Sequence, residues 1–267
     1  MAGASPWRQL AKLSYLMGGG HSEMRISVLG TEFDNITLDE AEKAAEYLIG
    51  SGGKGYIVTP NPEIVMMCRK NVDLQSAVNG ASLVLSDGIG VILGSKILGK
   101  PLKEKIPGID FAENIIRSCS GSGRTVFLLG AKPGVAEKAA EKLTEKYPGL
   151  IVAGTSDGYF KNDEPVIEKI NFVRPDVLFV CLGAPRQEIW IARNISHLNV
   201  HLAAGLGGSL DVFAGVVERA PEKWRAKGFE WLFRLLKNPR RIGRMMRLPA
   251  FLAAVVWRRV FHGGNNG

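Results

Sequence analysis

The carboxylate of Asp87 stands between an apolar run and a glycine-rich segment, in the stretch LSDGIGVILG at positions 85–94. Three interpretations fit this pattern. The glycines resemble a dinucleotide-binding turn, although the last glycine comes one residue too late and the acid precedes the glycines. Alternatively, Asp87 caps the helix that follows. In the third interpretation, Asp87 ends a parallel strand, where open α/β sheets carry their chemistry, and the glycines leave room for a substrate.

Four other segments place polar groups or glycines directly after apolar runs. A glycine-rich turn that opens a helix suits phosphate, because unpaired backbone N–H groups point outward there. Five such segments in one chain predict a common substrate site. The four are VTPNPEIV with Thr59 and Asn61, FLLGAKPG with Gly130 and Gly134, CLGAPRQE with Arg186, Gln187 and Glu188, and AAGLGGSLD with Gly207, Gly208 and Asp211.

Several chemistries are disfavoured by what the sequence lacks. It contains no GxxxxGK[ST] loop for a nucleoside triphosphate and no Asp-x-Asp pair of the kind that holds a metal in many sugar-nucleotide enzymes. The three cysteines are far apart and the four histidines have no metal-ligand spacing, so we expect no metal, no cofactor and a reducing cytoplasm. The charge of a phosphate would then be met by backbone amides, arginines and lysines.

Short apolar runs alternate with helical stretches along most of the chain. This alternation predicts an α/β fold, with a three-layer, mostly parallel Rossmann-like sheet and a basic helical appendage at the C-terminus. The predicted strands are RISVLG, GYIVT, SLVLS, TVFLLG, LIVAG, DVLFVCLG and VHLAAG.

The composition divides the chain into three parts. Residues 1–23 are interpreted as a leader or a cloning remnant, and residues 24–214 as the α/β domain. Residues 215–267 carry twelve Lys and Arg against three Glu, a net charge of +9, whereas the whole chain carries +8. The longest apolar run there, LPAFLAAVVW, is about half as long as a membrane span. The apolar side of this appendage needs a partner, which is the domain core, another subunit or a bilayer surface.

Five segments together resemble the WecG/TagA/CpsF family of bacterial glycosyltransferases, over residues 24–247 and in the family's order. They are TPNPEIV, SDGIGV followed by IPGID, FLLGAKPGVAEKA, GAPRQE, and GGSLDVFAGVVERAPEKW followed by EWLFRLLKNPRR. The match is nearest to the TagA branch. That resemblance implies transfer of N-acetylmannosamine (ManNAc) from UDP-ManNAc to undecaprenyl-diphosphate-linked N-acetylglucosamine (GlcNAc), a step toward the linkage unit of wall teichoic acid.

The resemblance also implies roles for individual residues. Asp87 matches the aspartate proposed as the family's catalytic base, and Thr59, Asn61 and Gln187 match other motif positions. Lys105 stands where many members have arginine, which keeps the charge but loses the bidentate fork.

We therefore expect a metal-independent, inverting enzyme. A single base suffices for inversion, whereas retaining enzymes and hydrolases more often use two carboxylates. The predicted substrate-binding residues are Thr59, Asn61, Lys105, Gly130, Gly134, Arg186, Gln187, Gly207 and Gly208, and the predicted lipid-diphosphate ligands are Arg219, Arg234 and Arg241.

The expected partners are a UDP-N-acetylhexosamine, a polyprenyl-diphosphate-sugar acceptor and the anionic inner face of the cell membrane. The sequence also allows a homo-oligomer. One alternative changes the donor to UDP-N-acetylmannosaminuronic acid (UDP-ManNAcA). A second is a non-enzymatic nucleic-acid-binding protein, which the appendage disfavours because it has no recognisable nucleic-acid-binding motif.

Overall fold

A computed structural model of the chain describes residues 25–226, 228–237 and 247–262. The interpretation of residues 1–23 as a leader lies outside these ranges.

Six parallel strands form the central sheet, as the alternating pattern predicts. Their order is β4, β3, β8, β7, β5, β6, so each connection between them crosses over a face of the sheet. The strands are β3 (Gly55–Val58), β4 (Leu83–Val84), β5 (Thr125–Gly130), β6 (Ile151–Ser156), β7 (Val177–Cys181) and β8 (Leu202–Gly205).

The first predicted strand, RISVLG, differs from the others. Its residues Arg25–Val28 (β1) pair antiparallel with Thr31–Asp34 (β2) in a separate hairpin. The reason is the turn between them, where Leu29 and Gly30 both have positive φ and reverse the chain directly. The Asp34 carboxylate accepts a hydrogen bond from the Val84 N–H, at 2.7 Å, so the hairpin covers the β4 edge of the sheet.

Helices cover both faces of the sheet. They are α1 (Leu38–Gly50), α2 (Pro62–Cys68), α3 (Val72–Asn79), α4 (Ile89–Ile97), α5 (Gly108–Ser122), α6 (Val135–Lys146), α7 (Glu164–Val173), α8 (Arg186–Asn194), α9 (Ser209–Phe213), α10 (Glu222–Ala226), α11 (Glu230–Lys237) and α12 (Arg247–His262).

Alternate residues of the central strands point into two separate cores. On β5, Phe127 and Leu129 belong to one buried cluster, whereas Val126 and Leu128 belong to the other. This period of two with apolar residues on both sides is what a parallel sheet between two helical layers requires. The three-layer architecture follows from it.

Helix α12 packs on the domain through part of its surface. Phe251 and Val255 are fully buried in the same cluster as Val91. A Cβ atom on Gly94 would lie 2.7 Å from the Phe251 ring, so α4 and α12 approach closely because that position is glycine. The end of the predicted appendage therefore contributes to the domain core. No helix within the described ranges is both long enough and apolar enough to cross a membrane.

Candidate active site

Three adjacent strands bring polar residues to one edge of the sheet. Thr59 follows β3, Asp87 follows β4, and Gly205 ends β8, with β3 in the middle. The Thr59 hydroxyl donates to the Gly205 carbonyl oxygen at 3.2 Å, and the Asp87 N–H donates to the Pro60 carbonyl oxygen at 3.3 Å. Parallel strands end on the same side, so the fold itself gathers these groups.

The structure distinguishes between the three interpretations of the Asp87 segment. The residue that caps α4 is Gly88, and no side chain makes a capping hydrogen bond there. A Cβ atom on Gly90 would lie 2.6 Å from Pro62 and 2.7 Å from Leu248, so this glycine serves close packing. The half-buried Asp87 thus follows a strand end, as in the third interpretation. The expectation that the glycines leave room for a substrate is wrong for Gly90 and Gly94, because Pro62, Leu248 and Phe251 take up that space.

Asn61 has a structural task in addition to the predicted substrate contact. It is the N-cap of α2, and its side-chain oxygen accepts from the Ile64 N–H at 3.1 Å. Pro62 occupies the first helical turn, where a missing N–H costs nothing. An Asn-Pro pair is a sequence signal for the start of a helix. The cap fixes the loop that leads from Thr59 into α2.

Lys105 belongs to a segment that lies against Ser86, between the end of β4 and Asp87. The Ser86 hydroxyl donates to the Glu104 carbonyl oxygen at 2.6 Å, and the Ile106 N–H donates to the Ser86 carbonyl oxygen at 2.7 Å. These two bonds align segment 104–106 with the end of β4. The Lys105 ammonium group donates in turn to the Arg225 carbonyl oxygen at 3.4 Å, which links the site to α10.

Gly130 and Gly134 shape the turn between β5 and α6. Gly130 has φ +131°, and a Cβ atom there would lie 2.4 Å from the carbonyl oxygen of Cys181 on the neighbouring strand β7. Gly134, the N-cap of α6, has φ +81° and makes no side-chain capping bond. After β5 the chain continues to β6 on one side, whereas after β7 it continues to β8 on the other side. In open α/β sheets, ligands bind in the crevice between two such strands.

The contacts of Arg186 lie within the protein. Its guanidinium group donates to the carbonyl oxygens of Gly158 at 2.5 Å and Phe160 at 3.2 Å. It also lies over the Phe160 ring, 4.4 Å from the centroid. Arg186 therefore holds the loop after β6, a contact between distant segments that the sequence did not reveal.

Gln187 is buried and organises the loop after β8. Its side-chain oxygen accepts from the Gly207 N–H at 2.9 Å, and its Nε2 donates to Glu188 at 2.8 Å. Only 2% of Gln187 is exposed. Gln187 thus fixes the backbone of Gly207, next to Gly208 at the N-cap of α9, while Glu188 fixes the orientation of the Gln187 amide.

Glu188 is a carboxylic acid in an apolar interior. Only 1% of it is exposed, and its Oε2 atom has no hydrogen-bond partner within the described ranges. Burial raises the pKa of Glu188, an effect that the hydrogen bond from Gln187 opposes. Burial therefore disfavours the ionised form of Glu188 relative to the same group in water, an effect that no pattern in the neighbouring residues indicates.

The predicted diphosphate ligands of the appendage differ in what surrounds them. The Arg219 guanidinium group donates to the Asp110 carboxylate and lies 4.0 Å from the Glu113 carboxylate. Arg241 lies outside the described residues, as does the side chain of Arg234 on α11. Within the described part of the chain, no three His, Cys, Asp or Glu side chains are arranged to hold a metal ion.

Comparison with known proteins identifies relatives of this chain. The model of the "Glycosyl transferase WecG/TagA/CpsF family" matches residues 26–265. A Bacillus spizizenii protein named N-acetylglucosaminyldiphosphoundecaprenol N-acetyl-beta-D-mannosaminyltransferase is 39% identical over 201 residues, which cover 75% of this chain and 78% of the relative. A Staphylococcus aureus protein of the same name is 35% identical over 230 residues, which cover 85% and 91%.

The burial of Glu188 predicts how stability depends on pH. The folded-state pKa of Glu188 is raised above the ordinary value of 4.5. The contribution of Glu188 to the free energy of unfolding is therefore fully present below pH 4.5 and is lost as pH rises through the folded pKa. Glu188→Gln should therefore gain free energy of unfolding relative to wild type as pH rises above about 4.5. Urea unfolding across this range, with the exposed Glu168→Gln as control, measures the effect. Equal pH slopes of the unfolding free energy for wild type and Glu188→Gln would contradict a raised pKa of Glu188.

Proposed function

Since the chain belongs to the WecG/TagA/CpsF family of glycosyl transferases, we propose that this hexosyltransferase moves ManNAc from UDP-ManNAc to undecaprenyl-diphosphate-linked GlcNAc, as in wall teichoic acid synthesis. The names of the two relatives support the acceptor and the transferred sugar. The observation that carries the proposal is the position of Asp87. It follows the end of β4, next to β3 and Thr59, and the preceding residue Ser86 is hydrogen-bonded to segment 104–106.

Asp87 is the base in this proposal. The acceptor hydroxyl oxygen attacks the anomeric carbon of the donor while the bond from that carbon to the diphosphate oxygen breaks, and UDP leaves with the electron pair. The hydroxyl proton passes to the Asp87 carboxylate. Attack and departure on opposite faces of the sugar need only one carboxylate, so the reaction inverts the anomeric centre.

The leaving diphosphate needs positive charge, and we assign this task to Lys105 and backbone N–H groups. The open turn at Gly130 and Gly134 supports a contact with the nucleotide diphosphate, because no side chain caps the start of α6. We assign Thr59, Asn61, Gln187, Gly207 and Gly208 to the surroundings of the donor sugar and diphosphate. The hydrogen bonds of Arg186 favour a role in shaping the adjoining loop.

A second donor fits the same site. Segment 104–106 is hydrogen-bonded to Ser86, just after the end of β4, and from this segment the Lys105 ammonium group would also pair with the carboxylate of UDP-ManNAcA. A panel of UDP-GlcNAc, UDP-ManNAc, UDP-ManNAcA and UDP-glucose with a short-chain lipid-linked GlcNAc acceptor separates these donors. We expect UDP release above background with UDP-ManNAc, and only when acceptor is present. Faster turnover of UDP-ManNAcA would reassign the donor.

The outer face of α12 supports binding to the inner surface of the cell membrane. Trp257, Val260 and Phe261 are 61–67% exposed, next to the exposed cations Arg258 and Arg259. Aromatic and aliphatic side chains beside cations are typical of helices that lie in the headgroup layer, where anionic lipid adds about 1 kcal/mol per well-placed charge. An undecaprenyl acceptor is held in the same membrane.

The role of Asp87 predicts the effect of its amide. Asp87→Asn keeps the shape of the residue but removes the base, so turnover should fall by about 10²–10⁴-fold. UDP binding and the melting temperature should stay near wild type. Asp73→Asn, at an exposed position of α3, is the matched control and should keep full turnover. An Asp87→Asn enzyme with near-normal turnover would remove Asp87 from the mechanism.

The site also predicts independence from metal. Because the sequence has no Asp-x-Asp pair and the diphosphate is met by Lys105 and backbone amides, transfer should survive excess EDTA. Initial rates with EDTA, and after adding back Mg²⁺ or Mn²⁺, measure this. A strict requirement for either ion would show that the diphosphate is bound differently.

The exposed face of α12 predicts membrane binding. Replacing Trp257 and Phe261 together by serine should reduce co-sedimentation with phosphatidylglycerol vesicles, because their exposed rings would insert into the headgroup layer. Phe172→Ser is the matched control, since Phe172 is 88% exposed on α7. High salt should weaken binding of the wild-type chain. Sedimentation of the double variant equal to that of the control would contradict the assignment of this face.

A further inference from the structure

The side chain of Gln187 is enclosed by the protein, although it lies at the carboxyl edge of the sheet. Only 2% of the residue is exposed. A Cβ atom on Gly205 would lie 3.3 Å from the Gln187 Nε2 atom, so the amide packs directly on the end of β8. The Gly205 carbonyl oxygen accepts from the Thr59 hydroxyl at the same strand end. A bound substrate therefore meets little of the Gln187 side chain, and the amide acts on its protein neighbours.

Both ends of the Gln187 amide make hydrogen bonds, and the two bonds require the same orientation. Its Oε1 atom accepts from the Gly207 N–H at 2.9 Å, and its Nε2 atom donates to Glu188 Oε1 at 2.8 Å. If the amide turned over, Nε2 would face the Gly207 N–H, and two donors would oppose each other. Glu188 thus determines which end of the amide meets Gly207.

Glu188 makes this contact at a cost in free energy. Only 1% of the residue is exposed, and its Oε2 atom has no hydrogen-bond partner within the described ranges. An apolar side chain of similar size would avoid the burial of these oxygens. A buried carboxyl group with an unpaired oxygen contributes little to folding stability, so its bond to Gln187 points to a role in the site.

The backbone that these contacts hold is open to a ligand. Gly207 has φ +56°, and a Cβ atom there would meet no other atom within 4 Å. Its N–H points to the buried Gln187, whereas the neighbouring Gly208 is exposed. A ligand that approaches this loop contacts backbone atoms whose position depends on Gln187 and, through Gln187, on Glu188.

We propose that Glu188 and Gln187 are positioning residues for the donor. Glu188 orients the Gln187 amide, and the amide holds Gly207 where the backbone of loop 205–208 contacts the donor. Neither side chain needs to touch the donor itself, in contrast to the direct substrate contact that the sequence patterns predict for Gln187. This inference rests on the proposed function for the assignment of loop 205–208 to the donor.

Calorimetric titration of the full-length chain with UDP tests these roles. Glu188→Met removes the acceptor for the Gln187 amide and should weaken UDP binding roughly three- to tenfold, as expected for the loss of one hydrogen bond. Glu188→Gln keeps an acceptor oxygen and should bind UDP within about twofold of wild type. Glu168→Met, at an exposed position of α7, is the matched control and should bind like wild type.

A double variant separates positioning from a general effect on the fold. Because Glu188 acts through Gln187, adding Glu188→Met to Gln187→Leu should weaken UDP binding no further, whereas independent effects would add. Hydrogen exchange followed by NMR reports on Gly207 without any ligand. The Gly207 N–H should exchange faster in Glu188→Met than in wild type or Glu188→Gln, while the amides of β5 exchange as in wild type.

Four results would overturn the proposal. They are UDP binding by Glu188→Met as tight as in wild type, binding by Glu188→Gln as weak as in Glu188→Met, additive losses in the double variant, and unchanged exchange of the Gly207 N–H in Glu188→Met. Failure of the wild-type chain to bind UDP would instead refute the proposed donor. Gly207 exchange would still show whether Glu188 controls this loop, since it needs neither donor nor sugar transfer.

Discussion

The common direction of six strands is the constraint on which the rest of this structure depends. Because β3, β4 and β8 all end at one edge, Thr59, Asp87 and the loop after Gly205 become neighbours although up to 146 positions separate them along the chain. The hydrogen bond from Thr59 to Gly205 joins two of these ends directly. A site assembled in this way needs no long loops, since the rigid strands fix the separation of its groups.

Helix α12 near the C-terminus packs into the domain core with one face and exposes apolar side chains on the other. Phe251 and Val255 complete a core, and Leu248 packs over Gly90 in the segment that follows Asp87. The opposite face of the same helix leaves Trp257 and Phe261 exposed. A helix that anchors at a membrane through one face and contacts the Asp87 segment through the other would hold the site close to a lipid-borne substrate.

The sequence predicted the architecture and the edge of the sheet that carries the candidate site. Apolar runs such as TVFLLG are local signals of buried strands, and parallel strands place Asp87 and Thr59 together without further information. Contacts between distant segments could not be predicted from the sequence patterns. Arg186 bonds to the loop at Gly158, and Gly94 is small because Phe251 packs on it, so neither role is visible in the neighbouring residues. The positive φ of Leu29, which makes the first hairpin, also has no clear local signal.

The proposed role of Asp87 as the only catalytic carboxylate predicts the stereochemistry of the product. The one-bond C1–H1 coupling of the transferred sugar, measured by NMR on product made from α-linked UDP-ManNAc, reports the anomeric configuration directly. Asp87 acting alone as base predicts a β-linked product, because acceptor attack and UDP departure occur on opposite faces. An α-linked product would mean retention of configuration, and would contradict the in-line displacement built on Asp87 as base.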